Sequence, residues 1–402
     1  MRSGINSPAW WGAPKKFETR QKDRRVSWLE LFFDLVYVIA ISRITHHLTG
    51  DMSAAGFLEY ICLFMLVYWG WLNSSLHHDL HGNSGLRTRL MTLWQMMIVA
   101  ALAVVTNKYP DDHHHSITVV FMIMQLFITY QWWSVGLYDK NHRRYSWPYT
   151  TLYLVSFGLM GLSMLLSSAW LAFIVPLILI CNYGPPFISH ILLTRSSNEL
   201  DLSSSMFERL GLFTIIIFGE LVLGVVNGIT EVEVLDITVW LNFAFAISLV
   251  FALWWIFFTM IARRHAKKNF IRASLLELLY IPTLISLGLL AAGFPSFFGE
   301  ASGSSLQDLF CYGIAIFLIC VSLLTGLLEY PEVFDKIKNP MRFSIFFTGV
   351  VFAVFPLFDF DLSQPGFLLS AIAILSAEIL YLNFVYFRKL SKEGLEHPDD
   401  QT

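Results

Sequence analysis

Stretches of roughly 20 apolar residues, the length that spans a bilayer, recur from residue 30 to residue 387. Short charged or Pro- and Gly-bearing connections separate them. One aqueous core cannot hide so many apolar segments, whereas helices crossing lipid satisfy every backbone group internally. The expected fold is therefore all-α, a polytopic membrane helix bundle. Composition agrees: 55% of the residues are hydrophobic and 14% charged, against about 25% charged in a soluble domain. The mean hydropathy is +0.58. An ordinary soluble enzyme is excluded. The formal net charge of −3 provides no basic field for nucleic acid, so lipid is the expected surrounding and nucleic acid is not an expected partner.

Apolar runs bounded by charges, Pro or Gly predict twelve helices, over 30–48, 54–73, 88–107, 116–135, 149–167, 169–191, 207–229, 237–261, 274–294, 306–329, 341–358 and 366–387. Only Ser167 and Ser168 divide the fifth from the sixth, which leaves eleven open. The basic residues arbitrate, because short cytoplasmic loops retain Lys and Arg. With a cytoplasmic N-terminus, that side receives all of the 27 basic residues except Lys108 and Arg43. A wrong span count would move every later loop across the membrane. The bias persists to Arg388, Lys389 and Lys392, so an even number, twelve, is expected, with both termini cytoplasmic in a multi-pass protein of the cell membrane. No short hydrophobic segment with a small-residue cleavage site precedes the first block, and no leader is expected to be removed.

Landmarks recur between the halves. Glu30 and Glu208 open the first and seventh spans, Arg87 and Arg272 precede the third and ninth, and Tyr138 with Pro148 returns as Tyr330 with Pro340. Six spans is an even number, so two such halves share one orientation and form a parallel repeat. The expected organisation is a basic cytoplasmic segment 1–28, a first six-helix repeat 29–192, a linker 193–206, a second repeat 207–388 and a cytoplasmic tail 389–402. Paired halves of this kind commonly enclose a path, which inclines the reading toward transport.

An ionisable group inside a span is costly unless it faces a partner or water, so each is a candidate site. In the first span Glu30 and Asp34 lie four residues apart on one helical face. Two carboxylates there crowd unless one is protonated or a cation sits between them. Glu30 also has a structural reading, as an N-terminal acid complementing the helix dipole; Asp34 lies a turn deeper. Arg43, nine positions beyond Asp34, returns to the opposite face and is expected to meet another acid or the outer surface near His46 and His47. In the seventh span Glu208 and Arg209 sit at the entrance, and Glu220 lies twelve residues, about 18 Å, further along. Gly211, Gly219, Gly224 and Gly228 are expected to let another helix approach closely. Glu378 is near mid-span in the twelfth stretch, whereas Glu59 and Glu277 sit nearer span ends. Asn73, Asn182, Asn242 and Asn383 are neutral polar companions.

Other features have plainer readings. The four cysteines, Cys62, Cys181, Cys311 and Cys320, lie in apolar stretches without zinc or redox spacing and are expected as small hydrophobes. His77, His78, Asp79 and His81, and Asp111 to His115, read as solvated loop clusters, since consecutive residues seldom converge on a metal. The pairs Trp10-Trp11, Trp132-Trp133 and Trp254-Trp255 suit interfacial belts. There is no Gly-rich phosphate loop, nucleophile elbow or His-Glu-x-x-His helix. No cofactor, metal or catalytic residue is expected, and the chain is not expected to be an enzyme.

The run Trp28-Leu29-Glu30-Leu31-Phe32-Phe33-Asp34-Leu35-Val36-Tyr37-Val38, with Phe207-Glu208-Arg209-Leu210-Gly211-Leu212-Phe213-Thr214 and Gly219-Glu220, resembles the bacterial low temperature requirement A family. The resemblance covers roughly residues 20 to 390 and maps the family's Glu-x-x-x-Asp pair onto Glu30 and Asp34. That name describes a growth phenotype and leaves the chemistry open. A fainter likeness is to the two-repeat, twelve-span potassium and proton channels of lysosomes and bacteria, whose first helices carry Phe-Ser-Asp. Here Phe32-Phe33-Asp34 stands in that place with Phe33 for Ser, and the second half has Gly211-Leu212 where an acid would stand.

The leading expectation is a proton-coupled transporter or ion-permeation protein for a proton, small cation or small solute. Its site is expected among Asp34, Glu220, Glu30, Glu378, Glu208 and Arg43. The alternatives are a structural or sensory membrane protein in stress adaptation, and a membrane-embedded enzyme acting on lipid through Glu30, Asp34, His46 and His47. A homodimer is compatible with all three.

Overall fold

The computed structural model describes residues 14–15, 26–83, 85–107, 114–140, 143–167, 170–192, 202–230, 232–262, 264–267, 270–299, 304–358 and 362–393. Among them the chain forms helices α1 (Trp28–Gly50), α2 (Ala54–His81), α3 (Leu86–Asn107), α4 (His114–Tyr138), α5 (Arg143–Ser163), α6 (Leu171–Tyr183) and α7 (Pro185–Leu192). These are followed by α8 (Ser204–Thr230), α9 (Ile237–Ile261), α10 (Phe270–Phe298), α11 (Ser304–Gly326), α12 (Glu332–Val354) and α13 (Gln364–Glu393). Strands β1 (His265–Ala266) and β2 (Leu328–Glu329) pair antiparallel.

Nine of the described helices are long and apolar enough to cross a membrane, and α6 with α7 makes a tenth if a bent pair counts as one span. The sixth expected stretch is thus not one straight helix. It bends by 48° between Tyr183 and Pro185, where Gly184 and the Pro185-Pro186 pair interrupt the backbone ladder. The expected segments 1–28, 193–206 and 389–402 fall mostly outside the described residues, as do Trp10, Trp11 and Asp111 to His113.

The described residues divide into two compact units, with the boundary inside α8. The first holds α1 to α7, the start of α8 through Phe213, and Phe270. Ser27 caps α1: its hydroxyl accepts from the Glu30 N–H, and the Glu30 carboxylate accepts in return from the Ser27 N–H at 2.9 Å. This is a capping box. Within the unit α1 packs on α2 and α3, and α4 on α5. Side-chain amides tie the helices together. Gln95 of α3 donates to Tyr37 of α1 at 2.8 Å and to Ser74 of α2. Tyr153 of α5 donates to Asn73 of α2, and Gln125 of α4 to Asn182 of α6.

Trp132 corrects the expected aromatic belt. It is fully buried and stacks on Tyr149 with centroids 4.0 Å apart, because its indole supplies bulk between α4 and α5, while neighbouring Trp133 is exposed. Trp254 and Trp255 are exposed as a belt requires.

The second unit holds the rest of α8 and α9 to α13. Here α11 packs on α12, and α13 on α9 and α12. Of the four glycines in α8, only two admit a neighbour within the units described. A side-chain carbon at Gly224 would overlap the Ala291 carbonyl, and one at Gly228 would lie 2.8 Å from the Phe294 carbonyl oxygen, both on α10. A carbon at Gly211 or Gly219 would meet nothing within 4 Å, so the close approach expected there is absent. Near β2, Arg264 lies 4.7 Å from the Tyr330 ring centre and Lys338 5.4 Å. Burial, opposed by Arg264 and Thr325, pushes the Tyr330 hydroxyl up to about 12. All four cysteines are free thiols; Cys311 and Cys320 are buried, Cys62 and Cys181 half-buried.

Candidate functional site

Two acids and a cation of the first unit are buried together. Asp34, 0% exposed, and Glu30 follow each other along the buried face of α1, and Arg209, 1% exposed, enters from the start of α8. The Arg209 guanidinium forks onto Asp34: Nε donates to Oδ2 at 3.2 Å and Nη2 donates to Oδ1. Planar two-point pairing of this kind is the strongest arginine–carboxylate geometry. Trp71 of α2 adds a third donor, its indole Nε1 lying 2.7 Å from Asp34 Oδ1. The guanidinium carbon lies 5.7 Å from the ring centres of both Phe33 and Trp71, and Trp71 stacks on Phe213 at 4.3 Å. Aromatic faces attract a cation electrostatically, so the pair is held from the sides as well as from its ends.

Glu30 has a looser claim on the same cation. Its Oε1 is 3.5 Å from Arg209 Nη1 and 3.7 Å from His78 Nε2, while Oε2 is occupied by the Ser27 N–H and hydroxyl. The crowding of two like charges expected on α1 is therefore relieved by a resident guanidinium, which belongs mainly to Asp34. Glu30 is the acid that opens onto a cavity of about 30 Å³, which also takes in Arg209, His77, His78, His81, Arg87, Gln95 and Gln131. That is about two to three times the space one water requires.

The histidines around this cavity correct another expectation. The second apolar stretch was expected to end near residue 73, with His77, His78, Asp79 and His81 in a solvated loop. The helix runs on to His81, and His77, Asp79 and His81 are buried. Polar residues stay helical here because tertiary partners receive them: Ser205 donates to Asp79 at 2.7 Å, and His81 Nδ1 lies 2.9 Å from the Lys15 carbonyl. The rings of His77 and His81 are 5.7 Å apart and both meet Trp132 edge-on. Among the described residues no group of three His, Cys, Asp or Glu side chains could hold a metal ion.

The remaining sequence-predicted residues are dispersed. Arg43 is exposed on α1, away from the buried acids of that helix, and Glu208 is exposed beside buried Arg209. Glu220 is half-buried and belongs to the second unit. So does Glu378, which is buried on α13 and accepts at Oε2 from Ser344 at 2.7 Å and from Thr348 at 2.9 Å, both on α12. Its Oε1 is buried with no hydrogen-bond partner among the described residues. Glu59 and Glu277 are half-buried. Sequence reasoning noticed Arg209 but left it at the span entrance, used Arg87 as a landmark of the repeat, and missed Trp71 altogether. The one available signal was chemical: two acids on a buried helical face require a cation from elsewhere in the chain.

Apolar helices of spanning length, with buried Asp34 and Arg209 paired to each other, define a multi-pass helical membrane protein. The chain belongs to the bacterial low temperature requirement A protein family, whose model matches residues 25–395. A search of curated proteins gives no match.

Proposed function

We propose that the chain is a transport or permeation protein of the cell membrane in which Glu30, Asp34 and Arg209 form a proton- or ion-exchange element. The observation that carries this reading is the sharing of one buried guanidinium by two carboxylates, of which one opens to a cavity. Asp34 takes the fork and orients Arg209. Glu30, whose contact with the guanidinium is the longer one at 3.5 Å, exchanges its proton, with His78 at 3.7 Å positioned to pass it on. Glu378, bonded by neutral hydroxyls, is suited to carry a proton in the second unit, and Glu220 is the remaining candidate on that side. The element acts by moving ions, and no bond of a substrate is made or broken.

Twelve crossings in two six-helix repeats, with both termini cytoplasmic, remain the favoured arrangement. Helices lie over every expected stretch, and an even count gathers the basic residues on one side.

The test is reconstitution in liposomes with an internal pH-sensitive dye. Proton movement that depends on an imposed gradient is expected, abolished in Asp34→Asn and Glu30→Gln and reduced in Glu220→Gln. Wild-type behaviour in all three variants, or no movement of protons or cations at all, would remove the reading in favour of a structural or sensory role.

A further inference from the structure

We infer that a pocket beside the β1–β2 pair of the second unit binds the phosphate headgroup of an anionic phospholipid. The connections after α9 and α11, with the opening turns of the helices that follow, are basic: residues 262–272 and 326–342 hold eight Lys and Arg against three acids. Pairing of β1 with β2, extended by the Lys267 N–H donating to the Leu327 carbonyl at 3.0 Å, brings these connections together. The cations then crowd. Arg264 and Lys338 lie against one Tyr330 ring, 4.7 and 5.4 Å from its centre. Lys267 Nζ donates to the Gly326 carbonyl at 2.8 Å, and a side-chain carbon at Gly326 would lie 2.8 Å from the Arg342 guanidinium. A neutral ring attracts each cation but leaves their mutual repulsion in place. Burial lowers the Lys267 ammonium from its ordinary value, Lys338 and Arg272 lower it further, and Asp335 opposes them. Asp335 also pairs with Lys338 at 3.3 Å, but it is exposed.

Within this cluster a cavity of about 30 Å³ is lined by Arg264, Lys338 and Tyr330, with Phe334, Met341 and Tyr386 on its apolar side. Arg264 Nε, a donor, is buried with no hydrogen-bond partner among the described residues. An unused guanidinium donor beside surplus positive charge suits an anion, and phosphate oxygens are its strongest acceptors. The size of the cavity narrows the class. It holds two or three water-sized groups, enough for phosphate oxygens and too little for a whole organic anion, so the rest of the ligand lies outside. There the same helices turn apolar side chains outward: Phe343 and Phe347 of α12 and Phe384 of α13 are exposed, within about three turns of Lys338 or Tyr386. Acyl chains gain from that surface, whereas free phosphate gains nothing. Basic pockets between spans on the cytoplasmic side receive anionic headgroups in this manner, and the charge bias assigns these connections to that side. The inference is independent of the exchange reading, since no proton need move.

The experiment uses the full-length protein in a neutral detergent, titrated calorimetrically with dioctanoyl phosphatidate, dioctanoyl phosphatidylcholine and inorganic phosphate. Saturable binding of the phosphatidate is expected, at least about tenfold tighter than that of either other ligand and weaker as salt is raised. Arg264→Gln and Lys338→Gln each remove a charged donor and weaken it by at least about tenfold. Arg89→Gln, which removes an exposed cation of the first unit, leaves it unchanged. Lys267→Gln, at a half-buried cation of the same cluster, carries the test if Arg264→Gln fails to fold. Absence of saturable binding, or unchanged affinity in folded Lys338→Gln together with folded Arg264→Gln or Lys267→Gln, overturns the site. Phosphatidylcholine binding as tightly would assign the attraction to acyl chains, and inorganic phosphate binding as tightly would assign it to a free anion; either result overturns the lipid headgroup. An equal loss in Arg89→Gln would assign the attraction to net charge and overturn the site as well.

Discussion

Replacing Arg209 with Met should be the most damaging single change in the first unit, and its cost can be worked from the contacts. Asp34 loses both arms of the guanidinium fork and keeps one donor, the Trp71 indole at 2.7 Å. Glu30 loses less, because the two Ser27 donors and His78 remain. Breaking a buried ion pair by removing one partner costs about 3–5 kcal/mol, most of it the penalty of the stranded charge. At roughly 2–4 °C per kcal/mol for a unit of this size, the melting temperature of the purified protein should fall by roughly 6–20 °C. The double variant Arg209→Met with Asp34→Asn removes the stranded charge, and it should recover at least about half of that loss. Size-exclusion profiles after graded heating, in one detergent and at one pH, supply all four corners of the double-mutant cycle. A single variant melting within about 2 °C of wild type would refute the argument that this pair is the electrostatic anchor of the unit. A double variant no better than the single one would refute the claim that Asp34 bears the cost.

Trp71→Phe keeps the stacking on Phe213 but removes a hydrogen bond to a charged acceptor, and should cost about 1.5–3 kcal/mol in the same assay. Glu378→Gln retains an acceptor for Ser344 and Thr348 and should melt close to wild type, whereas Glu378→Leu leaves two hydroxyls to find other partners and should cost about 1–3 kcal/mol. Gly224→Ala must displace the Ala291 backbone and should destabilise, while Gly219→Ala, which meets nothing, should be neutral or stabilising by up to about 1 kcal/mol through backbone entropy. The Tyr330 hydroxyl is raised from an ordinary 10.0 to about 12 by burial. Folding thus favours its protonated form, so its contribution is complete below pH 10 and lost as the pH climbs from 10 to about 12. Tyr330→Phe should lack that part of the alkaline drop in melting temperature; an identical drop in both proteins would refute it.

Much of the architecture was legible because membrane-spanning structure answers to local rules. An apolar run of sufficient length becomes a helix wherever it sits, and the period of 3.6 residues alone puts Glu30 and Asp34 on one face. The same rules carry no information about partners. Arg209 lies 175 residues from Asp34 in the chain, and nothing near either residue announces the other. The His77–His81 cluster looked like a solvated loop because its own residues are polar; α2 carries it inward because neighbouring segments supply its hydrogen bonds. Gly224 and Gly228 differ from Gly211 and Gly219 only in having α10 against them.

By itself, then, the sequence determined that this protein is a helical membrane protein with acids buried in its first and last spans, since hydrophobicity and helical period act over a few residues at a time. Which cation neutralises Asp34, which hydroxyls receive Glu378 and which histidines are buried were decided only by the tertiary structure. Electrostatic and hydrogen-bonding partners are chosen by distance in space, and distance along the chain does not encode it.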